Sequence, residues 1–510
     1  MAPTASASRT PNTVPHLIGG RLEPSTTDRW GDVFNPSTGR VQARVPLGTA
    51  DEVDRAVRAA DAALPAWSET PAVERARVMF RFWQLMHEHF EELAALVTRE
   101  HGKTLAEARA EIQRGIEMVE FACGIPSLLM GQSLENLAPQ VDCETTRHPV
   151  GVCVGITPFN FPSMVPLWMF PVAIACGNTF VLKPSEKVPL SAVRLGELLC
   201  DAGLPAGVMN VLHGDKAVVD ALLAHPLVRA VSFVGSTDVA RHIYQTGTAN
   251  GKRVQAAGGA KNHIIIMPDA DLEQAVQALR ASAFGCAGER CMAGSVAVPV
   301  GGIADDVVAG LVRVGEQIKV GATDGGAEVD MGPLITGEHR NRVAGYLDVA
   351  SGEGASVVLD GRSRSLPTHG FLLGPSVVDH VKPEMRLARE EVFGPVLSVV
   401  RAGDLDEALA IGRQCQYGNG ASLFTRSGWT ARQFKRYFNA GMIGINVGVP
   451  APMAWFPFTG WNKSFYGDLH MQGTEGVQFY TQQKTTMSRW FRSAADSPAD
   501  PIWKTSARRG

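Results

Sequence analysis

An α/β protein built from two doubly wound parallel-sheet units is the fold class this sequence predicts, and three observations carry it. At 510 residues and 54.5 kDa the chain exceeds one ordinary hydrophobic core. From Gly151 onward, short β-rich runs alternate with helical segments, the pattern of an open parallel sheet that usually carries a nucleotide. After Lys261 the same alternation begins again.

Taken in order, Met1 to His16 is rich in Ser, Thr, Ala and Pro without an apolar run, so a flexible tail is expected rather than a secretory signal. A transit peptide is not favoured, because Arg9 is the only basic residue ahead of Arg21. Thr49 and Glu52 form a capping-box signature for a helix with Val53, Val57 and Ala60 on one side. Thr70-Pro71 opens a second helical pattern through Phe82, Met86, Phe90, Leu93 and Val97. Strands are expected at Val152 to Thr157, Thr179 to Leu182, Val208 to Leu212 and Ala230 to Val234. The apolar stretch Phe161 to Leu182 is long enough to span a bilayer, but Pro162, Pro166, Pro171 and Asn178 break the helix ladder. A buried helix between strands is the better reading. The second unit starts with a strand at His263 to Met267 and a helix from Asp271 to about Phe284. Near the end, Val477 to Thr481 alternates like a strand, and Ser493 to Gly510 reads as disordered.

Composition excludes several classes. Lys+Arg 48 against Asp+Glu 51 gives a net charge of −3, so no global field favours nucleic acid or an anionic membrane. Eight cysteines lie scattered without a Cys-x-x-Cys pair, which fits a reducing compartment, and the cytoplasm is expected. His87-Glu88-His89 lacks the spacing of a zinc helix, so no metal is expected.

Among the cysteines, Cys291 stands apart, because Gly288-Glu289-Arg290-Cys291-Met292-Ala293 places a thiol in a Gly-bracketed loop after an apolar helical run. Upstream lies Ala257-Gly258-Gly259-Ala260-Lys261-Asn262. Together these segments resemble the catalytic motifs of the aldehyde dehydrogenase superfamily. Thr157-Pro158-Phe159-Asn160-Phe161-Pro162, Lys183-Pro184-Ser185-Glu186-Lys187 and Glu390-Glu391-Val392-Phe393-Gly394-Pro395 match further motifs of that family in the expected order. Within it, the stretch from Asn160 to Pro171, Arg290 to Ala293 and Gln478 to Thr485 resembles the CoA-acylating methylmalonate-semialdehyde dehydrogenase branch, from about Ile18 to Trp490.

The resemblance implies a nucleotide-binding domain (16–130 and 151–257), oligomerisation strands (131–150 and 473–492), a catalytic domain (258–472) and tails at 1–15 and 493–510. A small β oligomerisation element thus completes the expected fold, and a homodimer or homotetramer is expected. No Gly-x-Gly-x-x-Gly follows a strand, but Gly235 and Ser236 stand where a strand enters a helix, and backbone amides there suit a pyrophosphate. The family match implies that Lys183 and Glu186 bind the adenosine ribose, with Lys187, Thr157 and Phe159 beside it, and that Glu391 and Phe393 hold the nicotinamide ribose. A carboxylate at Glu186 would repel the extra phosphate of NADP, so NAD is the expected cofactor.

For the chemistry, the resemblance makes Cys291 the nucleophile and Asn160 the amide that stabilises the oxyanion. Arg114 and Arg290 match the branch's substrate-binding arginines, whose guanidinium groups can grip a substrate carboxylate with paired hydrogen bonds. Hydrolytic members carry a carboxylate at the position of Ala257, where it activates water; a methyl group stands here instead. The expected reaction is therefore NAD- and CoA-dependent oxidative decarboxylation of methylmalonate or malonate semialdehyde to propionyl-CoA or acetyl-CoA. Two rivals are a hydrolytic aldehyde dehydrogenase using another base, such as Glu289, and a catalytically idle homologue kept for binding or structure.

Overall fold

A computed structural model of the chain describes residues 12–325 and 328–490. Most of the two expected tails, 1–11 and 493–510, falls outside the described residues. Asn12–Thr13, counted with the N-terminal tail from the sequence, forms a short strand parallel to Arg40–Pro46.

The first large sheet has eight strands in the order Phe465–Tyr466, Arg253–Ala257, Val228–Val234, Val152–Ile156, Thr179–Lys183, Met209–Val211, His16–Ile18 and Arg21–Glu23. Its five central strands are mutually parallel, with Val154 registered against Val231 on one side and Val181 on the other. These strands are buried on both faces, which is why they read as continuous apolar runs without alternation. Helices pack against the sheet. The Ala50–Glu69 helix is capped as expected: Glu52 N–H donates to Thr49 Oγ1 (3.3 Å), and Thr49 N–H donates to Glu52 Oε2 (2.8 Å). It buries Val53, Ala56, Val57 and Ala60 in the core beside Val152 and Val154.

The second sheet has seven strands, ordered Ser356–Leu359, Ser376–Asp379, Val396–Val399, Gly294–Pro299, Asn262–Ile266, Gly420–Phe424 and Met442–Ile445. All neighbours run parallel except the Ser356–Leu359 edge. Its own core is built from Ile264, Val296, Leu397 and Leu423 with helices that include Leu272–Phe284, capped by Asp271. The two expected α/β units are thus both present. A late segment crosses between them, since Phe465–Tyr466 pairs antiparallel with Arg253–Ala257 of the first sheet.

A third sheet joins Ser133–Ala138, Val141–Pro149 and Thr481–Arg489, the last two paired over nine residues from Thr481 opposite Pro149 to Arg489 opposite Val141. Its strand begins later than the alternation suggests. Val477 to Phe479 end a helix, Gly473–Phe479, and the Thr481 hydroxyl donates to the Val477 carbonyl (2.7 Å), closing that helix before the strand starts. Apolar residues at 477 and 479 satisfy a half-buried strand and a buried helical turn equally well, so so short a window cannot discriminate them.

Two other boundaries move for local reasons. The helical pattern from Thr70 divides into Ala72–Glu88 and Phe90–His101, interrupted at His89. The apolar run after Phe161 divides into Met164–Leu167, which follows the Pro162–Ser163 turn, and Phe170–Ala175, which carries Pro171 in its first turn. The polar residue in that run is fully used: Asn178 Oδ1 accepts from Val150 N–H (2.8 Å) and Gly151 N–H (3.0 Å), while Nδ2 donates to the carbonyls of Ala173 and Tyr480 (2.9 Å each). No helix among the described residues is long and apolar enough to cross a membrane.

Candidate active site

Cys291 emerges from a tight turn at Gly285–Gly288, in which Cys286 (φ 48°), Ala287 (φ 51°) and Gly288 (φ 72°) all take left-handed backbone conformations. Glycine is required at 288, because a Cβ there would lie 2.2 Å from the Gly394 carbonyl oxygen. After the turn, the Cys291 carbonyl accepts from Asn262 Nδ2 (2.8 Å) and Asn419 Nδ2 (3.0 Å), and Asn262 also donates to the Ala293 carbonyl (2.9 Å). Two amides at the ends of the second sheet's strands therefore fix the thiol's backbone.

The thiol stands between two cavities. One, of about 270 Å³, is lined by apolar Phe161, Met164, Trp168 and Phe458, and by Glu107, Arg114, Arg290 and Cys286. The other, of about 330 Å³, is lined by Phe159, Asn160, Gly235, Ser236, Gly258, His339, Arg342, Glu391 and Phe393. Cys291 borders both. Asn160, Cys291, Gly235, Ser236, Glu391 and Phe393 are thereby brought together, and so are Arg114, Arg290 and Cys291 on the other side.

The remaining nucleotide candidates lie one strand away. Lys183 Nζ is 3.3 Å from Glu186 Oε2, the Lys183 carbonyl accepts from Thr157 N–H (3.2 Å), and Lys187 Nζ sits 5.0 Å from the centre of the Phe159 ring. Burial raises the Glu186 carboxyl, but Lys183, the Glu186 backbone N–H and Lys187 together hold the group below its ordinary value. Residues able to hold a dinucleotide thus run from the Lys183 strand end, past Phe159, to the start of the Thr237–Ala249 helix. There the Ser236 hydroxyl makes no capping bond, leaving the helix N-terminus open to an anion.

Electrostatically the thiol is at rest. Burial pushes Cys291 up to about 12, the Glu391 carboxylate adds to this, and the backbone N–H groups of Cys291 and Met292, with Arg290, pull the other way. Glu391 is itself raised to about 7 by burial, against the Ala260 N–H that donates to its Oε1 (2.9 Å). Phe393 sits in a left-handed conformation (φ 59°) beside it, a strained position of the kind found at ligand clamps.

Asn160 is held by residues that sequence reasoning missed. Lys103 Nζ, completely buried, donates to the Asn160 carbonyl (2.8 Å) and to Glu111 Oε2 (2.5 Å), and lies 4.0 Å from the centre of the Phe161 ring. Glu111 Oε1 accepts from Ser163 N–H (2.9 Å) and Met164 N–H (3.1 Å). The Asn160 side-chain amide makes no bond to any described residue. A second capping box, Thr104 with Glu107, was a legible signal for Glu107; nothing local announces Lys103.

Ala257 ends the Arg253–Ala257 strand, buried among Val234 and Phe465, with no carboxylate at that position. Glu289 does not replace it. Its Oε1 accepts from Ile335 N–H (3.2 Å) and lies 3.4 Å from His339 Nε2, its Oε2 lies 3.7 Å from His101 Nε2, and it lines neither cavity beside Cys291. Burial raises it to about 8, so at neutral pH it holds its proton and is a poor base.

Two predictions follow from these buried groups. Glu111→Ala leaves Lys103 charged and unpaired, and should cost about 3–5 kcal/mol in denaturant unfolding while also lowering turnover through Asn160. For Glu289, the folded chain keeps a proton that the unfolded chain loses above its ordinary value of 4.5, so stability falls as pH rises from there through about 8. Glu289→Gln should therefore melt higher than the parent at pH 8, by about 2 °C or more, with the difference vanishing below pH 4.5 in scanning calorimetry.

With this geometry in hand, known proteins place the chain. The model of the aldehyde dehydrogenase family matches residues 23–486. Malonate-semialdehyde dehydrogenase 1 of Geobacillus thermodenitrificans (strain NG80-2) is 52% identical over 481 residues, covering 94% of this chain and 99% of the relative. Malonate-semialdehyde dehydrogenase of Pseudomonas aeruginosa is 50% identical, covering 95% and 97%. Among solved structures, a protein assigned as a methylmalonate-semialdehyde dehydrogenase from Sinorhizobium meliloti 1021, complexed with NAD, superposes with a TM-score of 0.94 at 47% identity, covering 96% of this chain and 100% of that one. The methylmalonate-semialdehyde dehydrogenase DddC from Oceanimonas doudoroffii superposes with a TM-score of 0.93 at 49% identity, covering 95% and 100%. Matched in profile, sequence and backbone over nearly its whole length, the chain belongs to the aldehyde dehydrogenase family.

Proposed function

We propose that this protein is an NAD- and CoA-dependent semialdehyde dehydrogenase that oxidises methylmalonate or malonate semialdehyde, with loss of CO2, to propionyl-CoA or acetyl-CoA. The observation that carries the acylating reading is the methyl group of Ala257 together with an averted Glu289: the position where hydrolytic relatives carry their water-activating carboxylate is apolar here. Names of relatives at about half identity support the substrate class.

The cavity beside Asn160 fits NAD on its own features. Gly258 and Gly259 are places where a Cβ would meet the Lys463 carbonyl at 2.7 Å and Glu391 Oε2 at 2.4 Å, so the backbone is bare where the cleft narrows. Ser236 leaves its helix end uncapped, and Glu186 supplies a diol acceptor that repels a 2′-phosphate. When bound, NAD supplies the hydride acceptor and a positive ring near sulfur. Thr157, Phe159, Lys183, Glu186, Lys187, Gly235, Ser236, Glu391 and Phe393 are the residues assigned to it.

Cys291 attacks the aldehyde carbon, forming a thiohemiacetal whose oxyanion takes hydrogen bonds from the Asn160 amide and the Cys291 N–H. Collapse of the oxyanion expels hydride and leaves an acyl thioester on sulfur. Arg114 and Arg290, both on the substrate cavity, hold the carboxylate that sets the aldehyde against Cys291. The C–C bond to that carboxylate breaks with its electrons entering the thioester carbonyl, CO2 departs, and the α-carbon of the resulting enolate takes a proton from solvent. The CoA thiol then attacks the acyl carbon, and Cys291 leaves as thiolate. Water competes poorly, because a methyl group at Ala257 stands where hydrolytic relatives carry the base that takes its proton.

The first sheet with its helices (16–130 and 151–257) is assigned to the nucleotide and residues 258–472 to the catalytic unit. Assembly as a dimer or tetramer is proposed through 131–150 and 473–492. The exposed Leu134, Leu137 and Met487 of the three-stranded sheet support this, since a bare apolar edge is a pairing surface. Eight free cysteines support a cytoplasmic location.

Product analysis with malonate semialdehyde, NAD and CoA should give acyl-CoA, with free acid appearing only slowly when CoA is withheld; rapid CoA-independent acid formation would overturn the acylating reading. Cys291→Ser should abolish NADH formation, and Asn160→Ala should lower it on the order of a hundredfold or more. Because the resting thiol lies near 12, alkylation of Cys291 by iodoacetamide at pH 7 should be slow in the free enzyme and accelerate about tenfold or more with NAD, followed by peptide mass spectrometry.

A further inference from the structure

The arginines that face the substrate cavity are not free cations. Arg114 Nη1 lies 3.0 Å from Glu117 Oε2, and the arginine is about half-exposed, where such a pair exchanges easily. Arg290 is different. Its Nη2 lies 3.3 Å from Glu107 Oε1 and its Nη1 donates to the Ala281 carbonyl (3.3 Å), with both charged side chains largely withdrawn from water. Its guanidinium packs on Gly285, where a Cβ would come within 2.6 Å, and its Nε is buried with no partner among the described residues.

Glu107 cannot readily turn away. Its Oε2 accepts from Thr104 N–H and Oγ1 (3.0 Å each), and its Oε1 accepts from Cys286 N–H (2.6 Å) in the turn that delivers the nucleophile. Three donors hold this carboxylate whether or not Arg290 stays beside it. A carboxyl group is therefore fixed in the wall of a cavity that also contains the arginine next to Cys291 in the chain.

We infer that Glu107 is a specificity-determining residue: a fixed internal carboxylate that shares Arg290 with the carboxylate of the substrate. An incoming anion shares the Arg290 guanidinium with Glu107 and meets that carboxylate across it, so its binding is weaker than an unshared arginine would give. Once CO2 has left, Arg290 retains Glu107 as a partner, and no unpaired buried cation remains to slow release of the uncharged acyl group. An aldehyde without a carboxylate makes no use of Arg290, and its affinity is indifferent to Glu107.

The inference rests on the semialdehyde reading above, and the experiment separates the two. Steady-state kinetics of the full-length enzyme with NAD and CoA would compare malonate semialdehyde with propanal in the parent, Glu107→Gln and Thr104→Ala forms, with malonate as a competitive probe of the carboxylate site. Glu107→Gln keeps the side chain's shape and removes its charge. It should lower Ki for malonate, and the ratio of KM for malonate semialdehyde to KM for propanal, by about fivefold, the scale of one partly screened charge interaction. Thr104→Ala removes a cap and keeps the charge, so its ratio of the two KM values should match the parent. Equal shifts for both aldehydes in Glu107→Gln, a raised ratio, or the same selectivity change in Thr104→Ala would overturn the inference. Failure of the parent enzyme to oxidise malonate semialdehyde would instead overturn the proposed substrate class.

Discussion

Glu107 and Glu111, one turn apart on the Leu105–Cys123 helix, bind the two walls of the cleft to a single rigid element. Glu107 accepts from Cys286 N–H in the turn leading to the thiol, while Glu111 accepts from Ser163 N–H and Met164 N–H just past Asn160. The thiol is carried by a loop of the second sheet and the amide by a loop of the first, so neither sheet alone sets the distance between them. Lys103 completes the arrangement, neutralising Glu111 where water cannot and fixing the Asn160 carbonyl at the same time. Such a buried pair adds little net stability over apolar packing, and its value here lies in registering the two units.

Charge around the thiol follows from this tight enclosure. Burial disfavours every ionised form at once, which raises Cys291, Glu391 and Glu289 together. A negative Glu391 opposes thiolate formation, whereas Arg290 supports it. The resting site is therefore poised with little thiolate, and ionisation has to be driven by positive charge introduced next to sulfur. A thiol held un-ionised in this way is also protected from adventitious oxidation, which attacks the thiolate.

The absence of a carboxylate at position 257 acquires its meaning from what surrounds it. The nearest candidate along the chain, Glu289, points to Ile335, His101 and His339 behind the Phe159 ring, away from both cavities at Cys291. Glu391 reaches toward the Ala260 N–H. Three further acids line the substrate side, and each is already partnered by a cation: Glu107 with Arg290, Glu111 with Lys103, and Glu117 with Arg114.

Much of this was legible one residue at a time. Parallel strands buried on both faces announce themselves as short apolar runs between helices, so the strands at Val152, Thr179 and Val228 fall within two residues of expectation. Motif residues such as Cys291, Asn160, Glu391, Arg114 and Arg290 could be marked because the contiguous segments that carry them resemble the motifs of a known family; Arg114 or Glu391 taken alone would have read as an ordinary surface charge. By contrast, the Val477 to Phe479 helix was misread because a short apolar alternation fits two periods. Lys103 gave no signal at all: its role depends on Glu111, eight residues on, and on Asn160, fifty-seven residues on. Likewise, only folding turned Glu289 away from the thiol and set Glu107 against Arg290. Composition and periodicity are properties of the chain itself, whereas the partner of each charge is chosen by which segments the packed sheets bring within a few ångströms.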